Sequence, residues 1–360
     1  AFKKNQLDFP LTAKTKAPSF KADWLEKQSH PLPQTIVKAR KLNKLRTTFI
    51  EKMIFSHLHQ GRIHAQINPL RSDTGGTVSG RFSYSNPNLQ QVPARDPELG
   101  KLIRDLFIPD GEEYWGVFDY NQQEPRITVH YASLTKQKGA DLAVNAYQEE
   151  KADFHQIVAE LAGIDRKKAK TINLGLSYGM GRKRLTQALG ISEKGANKLI
   201  EKYHQNVPFI KGLSNACMRS ASNKGYITTI LGRRCRFNMY EGINKNSTPL
   251  PYDKAVAKWG ENSLIRSYTY KALNRLVQGS AADMTKKAML DLWQEGYVPY
   301  VQVHDELDFG VSRRKEMENI KEIMESSIKL QVPNIVDVEI GNSWGNATQS
   351  YQKVLNERNH

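Results

Sequence analysis

The sequence predicts an α+β fold, a small antiparallel sheet carrying a mostly helical insertion. Three observations lead there. Short runs rich in Val, Tyr and Phe recur at "YWGVFDY" (114–120), "VPYVQV" (298–303), "LDFGV" (307–311) and "IVDVEIG" (335–341), as strands require. Two of these runs flank a short acidic tip, and "YITTILGRRCRF" (226–237) reads as another hairpin, so neighbouring strands run antiparallel. Residues 139–223 show apolar residues almost entirely at helical spacing, interrupted by Gly and Pro.

In chain order, residues 1–33 are Lys- and Pro-rich and read as a poorly packed lead-in, with a short helix starting at "DWLEKQ". Val37, Leu42, Leu45, Phe49, Ile50 and Met53 then fall at helical intervals, which predicts one amphipathic helix over 34–56. "GRIHAQINPL" alternates Ile63, Ala65 and Ile67 as a half-buried strand, followed by a Gly-, Ser-, Asn- and Pro-rich loop from Ser72 to Pro93. Pro125 suits the first turn of a helix after the 114–120 strand. Beyond the 226–237 hairpin, residues 238–262 read as a polar loop and 263–294 as a helix weakened at Gly279. A helix near 313–329 and the 335–341 strand complete the core. There are no internal repeats.

Composition narrows the function. Lys and Arg number 53 against 37 Asp and Glu, a net charge of +16, which favours a polyanionic partner, nucleic acid first, over a merely soluble basic surface. Two cysteines, Cys217 and Cys235, match no zinc spacing and build no disulfide scaffold, so a reducing compartment fits. No apolar run approaches the ~20 residues of a membrane helix. Ala1 in place of an initiator Met reads as a fragment or a processed chain.

The acidic tip is the most informative stretch. "YVQVHDELDFGV" (300–311) sets Asp305, Glu306 and Asp308 within apolar strand sequence, and an unpaired buried carboxylate is very costly. A second acid, Asp119, ends the 114–120 strand. If the two strands share a sheet, Asp119 and Asp305 repel unless a divalent cation neutralises them, and oxygen ligands of this kind suit Mg²⁺. Two such ions would clamp the oxygens of a phosphoryl transfer. The plainer reading is two surface acids at strand ends.

"IDRKKAKTINLGLSYGMG" adds a third element. Asp165 is a good N-cap, yet Arg166, Lys167, Lys168 and Lys170 crowd the first turns, where cations oppose the helix dipole. Arg166, Lys170, Asn173 and Ser177 share a narrow sector, with Leu174 beside it, Tyr178 at its edge, and Gly175 and Gly179 opposite. Such a stripe fits a nucleoside triphosphate; the alternative is a solvated basic face with a core Tyr.

Taken together, these elements resemble the family A DNA polymerases. "DYNQQEPR" is similar to the family's motif A, "RKKAKTINLGLSYGM" to its motif B and "QVHDELDFG" to its motif C, while "SGRFSYSNPNLQQVP", "ADFHQIVAEL" and "LNRLVQGSAAD" match in order and approximate spacing. The resemblance runs from about residue 20 to 345. It implies a right-hand polymerase architecture: an antiparallel palm sheet at 61–125 and 274–360, a helical fingers insertion at 126–273, and a truncated thumb with its lead-in at 1–60.

The implied chemistry is template-directed addition of dNTPs to a primer 3′-hydroxyl with release of pyrophosphate. Asp119, Asp305 and the Tyr120 backbone carbonyl would hold two Mg²⁺ ions, with Glu306 a further candidate ligand. Arg166, Lys170, His155 and Gln122 would bind the dNTP, and Lys170 would donate a proton to pyrophosphate. Glu124 and Tyr178 resemble the pair that excludes a ribose 2′-hydroxyl, and Leu174 stands where relatives commonly carry Phe or Tyr, implying poor use of dideoxynucleotides. Arg81, Asn88, Asn274, Gln278 and His304 resemble residues on the primer-template minor groove, whose acceptors recur on every base pair.

Each has a plainer alternative. His155 could be a packed core histidine, Glu124 a helix-start acid, Gln278 a cap for a break at Gly279, and His304 a shaper of the turn. Asn121, Gln123 and Pro125 differ from the Ser, Ile and Leu of many bacterial members and lean toward virus-encoded relatives.

The expected partners are primer-template DNA and dNTPs with no membrane, acting as a monomer in the cytoplasm of a bacterium or phage-infected host, or in an organelle. A processivity partner or 3′–5′ exonuclease domain would lie outside this chain, which is expected to lack proofreading. A two-metal nuclease and a non-catalytic nucleic-acid-binding module are the competing readings. The nuclease leaves the basic helix and Glu124 without purpose, and the binding module leaves the aspartates repelling one another.

Overall fold

A computed structural model of the chain describes residues 1–5, 7–70, 75–93, 99–111, 113–148, 153–177, 182–244 and 247–352. The chain divides into two compact units: one of Ala1–Gln66, Tyr84–Ile108 and Ser343–Asn346, the other of Ile67–Ser83, Pro109–Asn342 and Ala347–His360.

The larger unit is built on an antiparallel five-stranded sheet. Its strands are β1 (Tyr114–Tyr120), β2 (Val301–Val303), β3 (Glu306–Val311), β4 (Val336–Gly341) and β5 (Gln349–Ser350), in spatial order β2-β3-β1-β4-β5. The central strand β1 is buried at every residue except Asp119, which explains the apolar sequence of the rest of the strand. Gly116 sits where an added Cβ would lie 3.0 Å from Val311 Cγ2 on β3, so the close strand approach needs its missing side chain.

Helix α1 (Gln123–Leu134) follows β1 and buries Ile127, Val129 and Ala132. Next come α2 (Phe154–Ala162), α3 (Arg166–Ser177) and α4 (Pro208–Lys224), as the 139–223 periodicity predicts. The long helix α5 (Ala272–Gln294) packs against α1, α4 and α6 (Arg314–Ser326). Two hydrogen bonds tie α5 to α1: Gln123 Nε2 donates to Thr285 Oγ1 at 3.2 Å, and Tyr131 Oη meets Ser280 Oγ at 2.9 Å. Each large apolar side chain buried between these elements contributes about 1.5–3 kcal/mol.

Three sequence expectations are corrected. Gly279 does not weaken α5, which runs through it. A Cβ there would come within 2.7 Å of Thr229 Cγ2, so the glycine seats the hairpin on the helix, and the plainer alternative for Gln278, a cap, has no break to cap. Residues 238–271 are neither a plain loop nor the start of that helix. They form a three-stranded sheet from Met239–Gly242, Leu250–Pro251 and Leu264–Arg266, with a short helix Tyr252–Trp259.

The third correction lies in the smaller unit, where the lead-in is packed. Phe2 lies within 4.6–6.1 Å, centroid to centroid, of Phe9, Phe20 and Trp24, and Leu25 is fully buried. Aromatic clusters need no sequence period, which is why spacing hides them. The predicted 34–56 helix is present as an α-helix, Pro31–Lys44, continuing as π-helical turns over Leu45–Ile54.

Candidate active site

Strand pairing brings the two distant aspartates together. Antiparallel register sets Glu306 of β3 opposite Asp119 of β1, and Asp337 of β4 opposite Asp119 on the other side. Residues directly opposite in a ladder project from the same face, so Glu306, Asp119 and Asp337 form a row of carboxylates across three strands. Asp305 occupies the two-residue tip between β2 and β3, and its carbonyl accepts from Tyr120 N at 3.4 Å. His304 takes the left-handed conformation there, φ 60°, so it does shape the turn. Asp308, the third acid of the motif, is fully buried and accepts from Trp115 Nε1 at 3.1 Å, which makes it part of the core.

The electrostatics follow from this crowding. Asp119 reaches solvent on one side, but the desolvation of its carboxyl by the surrounding chain, then the charges of Asp305, Glu306, Asp337 and Glu339, push it up to about 8. Burial also raises the Asp305 carboxyl, although its backbone hydrogen bond, Arg81 and His304 oppose the shift. Ionised carboxylates at this spot call for a cation. Among the described residues no three His, Cys, Asp or Glu side chains form a ready-made metal cage. The chemistry of the carboxylate oxygens gathered here, Asp119 and Asp305 first, would suit Mg²⁺, an ion that keeps waters and takes one or two carboxylates with substrate phosphates as further ligands. Asp337 and Glu339 are a second acidic flank that sequence reasoning passed over. Their alternation in "VDVEIG" was the available signal, since positions two apart share a face.

Arg81 joins this cluster. Its Nη2 is ion-paired with Glu124 Oε1 in the first turn of α1, both partly buried. The loop carrying Arg81 is fixed by Arg233, whose guanidinium donates to Ser79 O and Gly279 O at 2.8 and 2.9 Å and to Asp283 Oδ1 at 2.9 Å. Arg126 has a similar role at the other end of the site. It is 2% exposed and donates to the carbonyls of Asn121 at 2.8 Å and Pro333 at 2.7 Å, so it locks the segment after β1 to the one before β4.

The basic helix forms a second cluster. Asp165 caps α3 through Lys168 N, and Asp153 caps α2 through the amides of His155 and Gln156. Asp153 Oδ2 also accepts from Arg166 Nε at 3.0 Å, so part of the charge crowding at the start of α3 is met by acids of this chain. Burial pushes the His155 imidazole below its usual range, Lys170 and Arg166 reinforcing and Asp153 opposing, which sets all four together.

The neighbours of His155 set its tautomer. Tyr203 Oη donates to Asn173 Oδ1 at 2.5 Å, which turns Asn173 Nδ2 toward His155 Nδ1 at 3.1 Å. Nδ1 is then the acceptor, so Nε2 carries the proton.

Gln122 links the two clusters. Three residues after Asp119, with φ 54°, it accepts through Oε1 from Phe154 N at 2.7 Å and from Tyr147 Oη at 3.2 Å. This strained residue ties the end of β1 to the start of α2, beside His155. Asn274 and Gln278 lie in the first two turns of α5, and both are partly exposed. Asn88 belongs to the smaller unit, where its side chain accepts from Gln90 N at 3.1 Å. Tyr178 lies outside the described residues. Leu174 is on α3, and its side chain is likewise outside what is described.

The model of DNA polymerase family A matches residues 2–346. The chain belongs to this family. It is 38% identical to a DNA-directed DNA polymerase of Pseudomonas phage M6, over 92% of this chain and 54% of that protein. It is 32% identical to the thermostable DNA polymerase I of Thermus aquaticus, over 94% of this chain and 39% of that protein. Among solved structures it is similar to the POL domain of Pol1 from M. smegmatis in complex with DNA primer-template and dNTP, with a TM-score of 0.73 and 30% identity over 96% of this chain and 60% of that one. The chain thus spans about half the length of the phage relatives it matches. Among the described residues, no helix of this family A chain is long and apolar enough to cross a membrane.

Proposed function

We propose that this chain carries the polymerase activity of a DNA-directed DNA polymerase, adding dNMP units from dNTPs to a primer 3′-hydroxyl under direction of a DNA template. The observation that carries this reading is the Gln122 link, which holds the Asp119–Asp305 carboxylates within a few residues of the His155–Arg166–Lys170 cluster. An acidic pair that demands cations, next to a basic group that demands an anion, is what a triphosphate bridged by metal ions would satisfy.

In this reading the five-stranded sheet is the palm, residues 126–273 are the fingers, and residues 1–60 contribute to the thumb. Asp119, Asp305 and the Tyr120 carbonyl would hold two Mg²⁺ ions, with Glu306 adding negative charge beside them. When bound, the ions neutralise the repelling carboxylates and the charge that develops on phosphate. Arg166 exchanges Asp153 for a phosphate oxygen, His155 donates from Nε2, and Lys170 pairs with the terminal phosphates. The primer hydroxyl loses its proton to solvent as its oxygen bonds to the α-phosphorus. The α–β phosphoanhydride bond breaks, and Lys170 gives a proton to the departing pyrophosphate.

Glu124, with Tyr178, fills the space a ribose 2′-hydroxyl would need. Leu174 disfavours dideoxynucleotides, and Arg81, Asn88, Asn274, Gln278 and His304 face the minor groove.

Primer extension tests the reading. Wild-type protein should extend a primed template with Mg²⁺ and dNTPs, whereas Asp119→Ala and Asp305→Ala should lose extension by about 10³-fold or more while duplex affinity changes little. Extension at wild-type rate by either variant would defeat the assignment.

A further inference from the structure

The hairpin of Tyr226–Thr228 and Arg234–Arg236 is seated on α5, and its turn carries Arg233, a residue to which the chemistry proposed above gives no part. Thr229 N and Oγ1 donate to Arg233 O at 2.9 and 3.1 Å, and Ile230 N donates to Ser280 Oγ of α5 at 3.1 Å. The backbone of Arg233 is therefore fixed, and its side chain starts from a rigid base.

The guanidinium lies in a slot made by two glycines. A Cβ on Gly80, φ +85°, would come within 2.7 Å of Arg233 Cζ, and one on Gly279 within 3.1 Å of Nη2. In the slot, Nε donates to Asp283 Oδ1 at 2.9 Å, while Nη2 donates to Ser79 O at 2.8 Å and Gly279 O at 2.9 Å. Asp283 is 6% exposed and its Oδ2 meets no donor among the described residues, so Arg233 is the direct partner of a buried carboxylate. The carboxylate in turn aims the planar fork at the two carbonyls.

Ser79 stands two residues before Arg81, a stretch that spans at most about 7 Å. Thr77 Oγ1 donates to Arg81 O at 3.0 Å, and on the other side of Arg81 the Phe82 ring centroid lies 4.7 Å from Lys286 Nζ, which also donates to Pro69 O at 2.7 Å. The loop is thus fastened to α5 on both sides of the residue that pairs with Glu124. We propose that Arg233 is a positioning residue for sugar selection. Held by Asp283, it fixes Ser79 O and with it the reach of Arg81 toward Glu124, whose carboxylate then keeps the place a ribose 2′-hydroxyl would need. The inference rests on the sugar-excluding reading of Glu124 and extends that selectivity to a hairpin which the reading does not require.

Arg233→Lys is the informative change, because an ammonium still neutralises Asp283 but lacks the fork that reaches both carbonyls. The ratio of kcat/KM for dNTP over rNTP in single-nucleotide extension should fall about three- to fivefold, with the melting temperature moved by no more than about 5 °C. In an Arg81→Ala background the same substitution should alter the ratio by less than about 1.5-fold, because a residue that acts through another adds nothing once that other is gone. Asp283→Asn, which keeps the shape and removes the charge that aims the fork, should lower the ratio about twofold and again only when Arg81 is present. An unchanged ratio in Arg233→Lys, equal losses with dNTP and rNTP, which would mark an anchor of the fold alone, or an Arg233→Lys effect that multiplies in full with that of Arg81→Ala overturns the inference. Should Arg233→Lys fail to fold, Asp283→Asn with and without Arg81→Ala decides by the same criteria. A wild type that does not extend a primed template would instead strike the polymerase reading, and this inference with it.

Discussion

Arg81 and Glu124 are ion-paired across 2.5 Å, from a glycine-containing loop to the first turn of the helix that follows the central strand. Their side chains are 27% and 21% exposed, so solvent screens the pair only in part. Arg81 also acts on Asp305 and His304, which makes it the cation around which one side of the site is arranged.

Glu124 can exclude a ribose hydroxyl only if its carboxylate is held in place, and Arg81 holds it. Arg81→Ala should therefore lower the preference for dNTPs over rNTPs by about five- to tenfold, corresponding to about 1 kcal/mol for a half-shielded ion pair, and Arg81→Lys should retain most of it. Competition between labelled dNTP and rNTP in single-nucleotide extension measures this, and an unaltered ratio would show that Glu124 positions itself without Arg81.

The Tyr203–Asn173–His155 chain fixes which imidazole nitrogen carries the proton. Asn173→Ala frees the ring and should raise the KM for dNTP several-fold with a smaller effect on kcat, because the triphosphate loses a preset donor. Tyr203→Phe should cost about 1 kcal/mol of stability through the lost buried hydrogen bond. A fall in kcat at constant KM for Asn173→Ala would place His155 elsewhere in the cycle.

Without metal, the crowding of Asp119 by Asp305, Glu306, Asp337 and Glu339 opposes folding. Asp119→Asn should raise the melting temperature in EDTA by about 1–3 °C while abolishing extension, the trade between stability and activity expected of a strained charged site. Differential scanning calorimetry decides it, and a lowered melting temperature would mean the carboxylate is well satisfied as it stands.

His130 predicts an acid-side loss of stability. Burial holds its imidazole below the ordinary 6.5, and Nδ1 accepts from Gln331 N at 3.0 Å, so the folded chain keeps it neutral. As pH falls below about 6.5 the unfolded chain takes up a proton that the folded chain does not, and stability falls with pH until the folded-state value is reached. His155 and His204 are shifted the same way and add to the slope. Urea midpoints between pH 7.5 and 5.5 should decline in wild type and decline less in His130→Gln; parallel curves would remove His130 from the account.

Much of this was legible in the sequence, for identifiable reasons. A strand buried on both faces must be apolar throughout, so an acid at its end, as at Asp119, stands out, and hairpin chemistry marks Asp305 in the same way. What sequence hides is pairing at a distance. Asp153 and Asp165 answer part of the charge on α3, Arg126 and Arg233 satisfy carbonyls far along the chain, and Asp337 becomes part of the site only through register. The 239–266 sheet escaped because its strands are only two to four residues long, too short to show a period, and the lead-in escaped because Phe2, Phe9, Phe20 and Trp24 gather without one.

Electron paramagnetic resonance of Mn²⁺ titrated into the complex with a dideoxy-terminated primer-template and matching dNTP tests the shared-cation claim most directly. Two protein-bound ions should appear per wild-type chain, with the second lost and the first weakened at least tenfold in both Asp119→Ala and Asp305→Ala. Retention of both ions at wild-type affinity in either variant would show that these carboxylates do not form one metal centre.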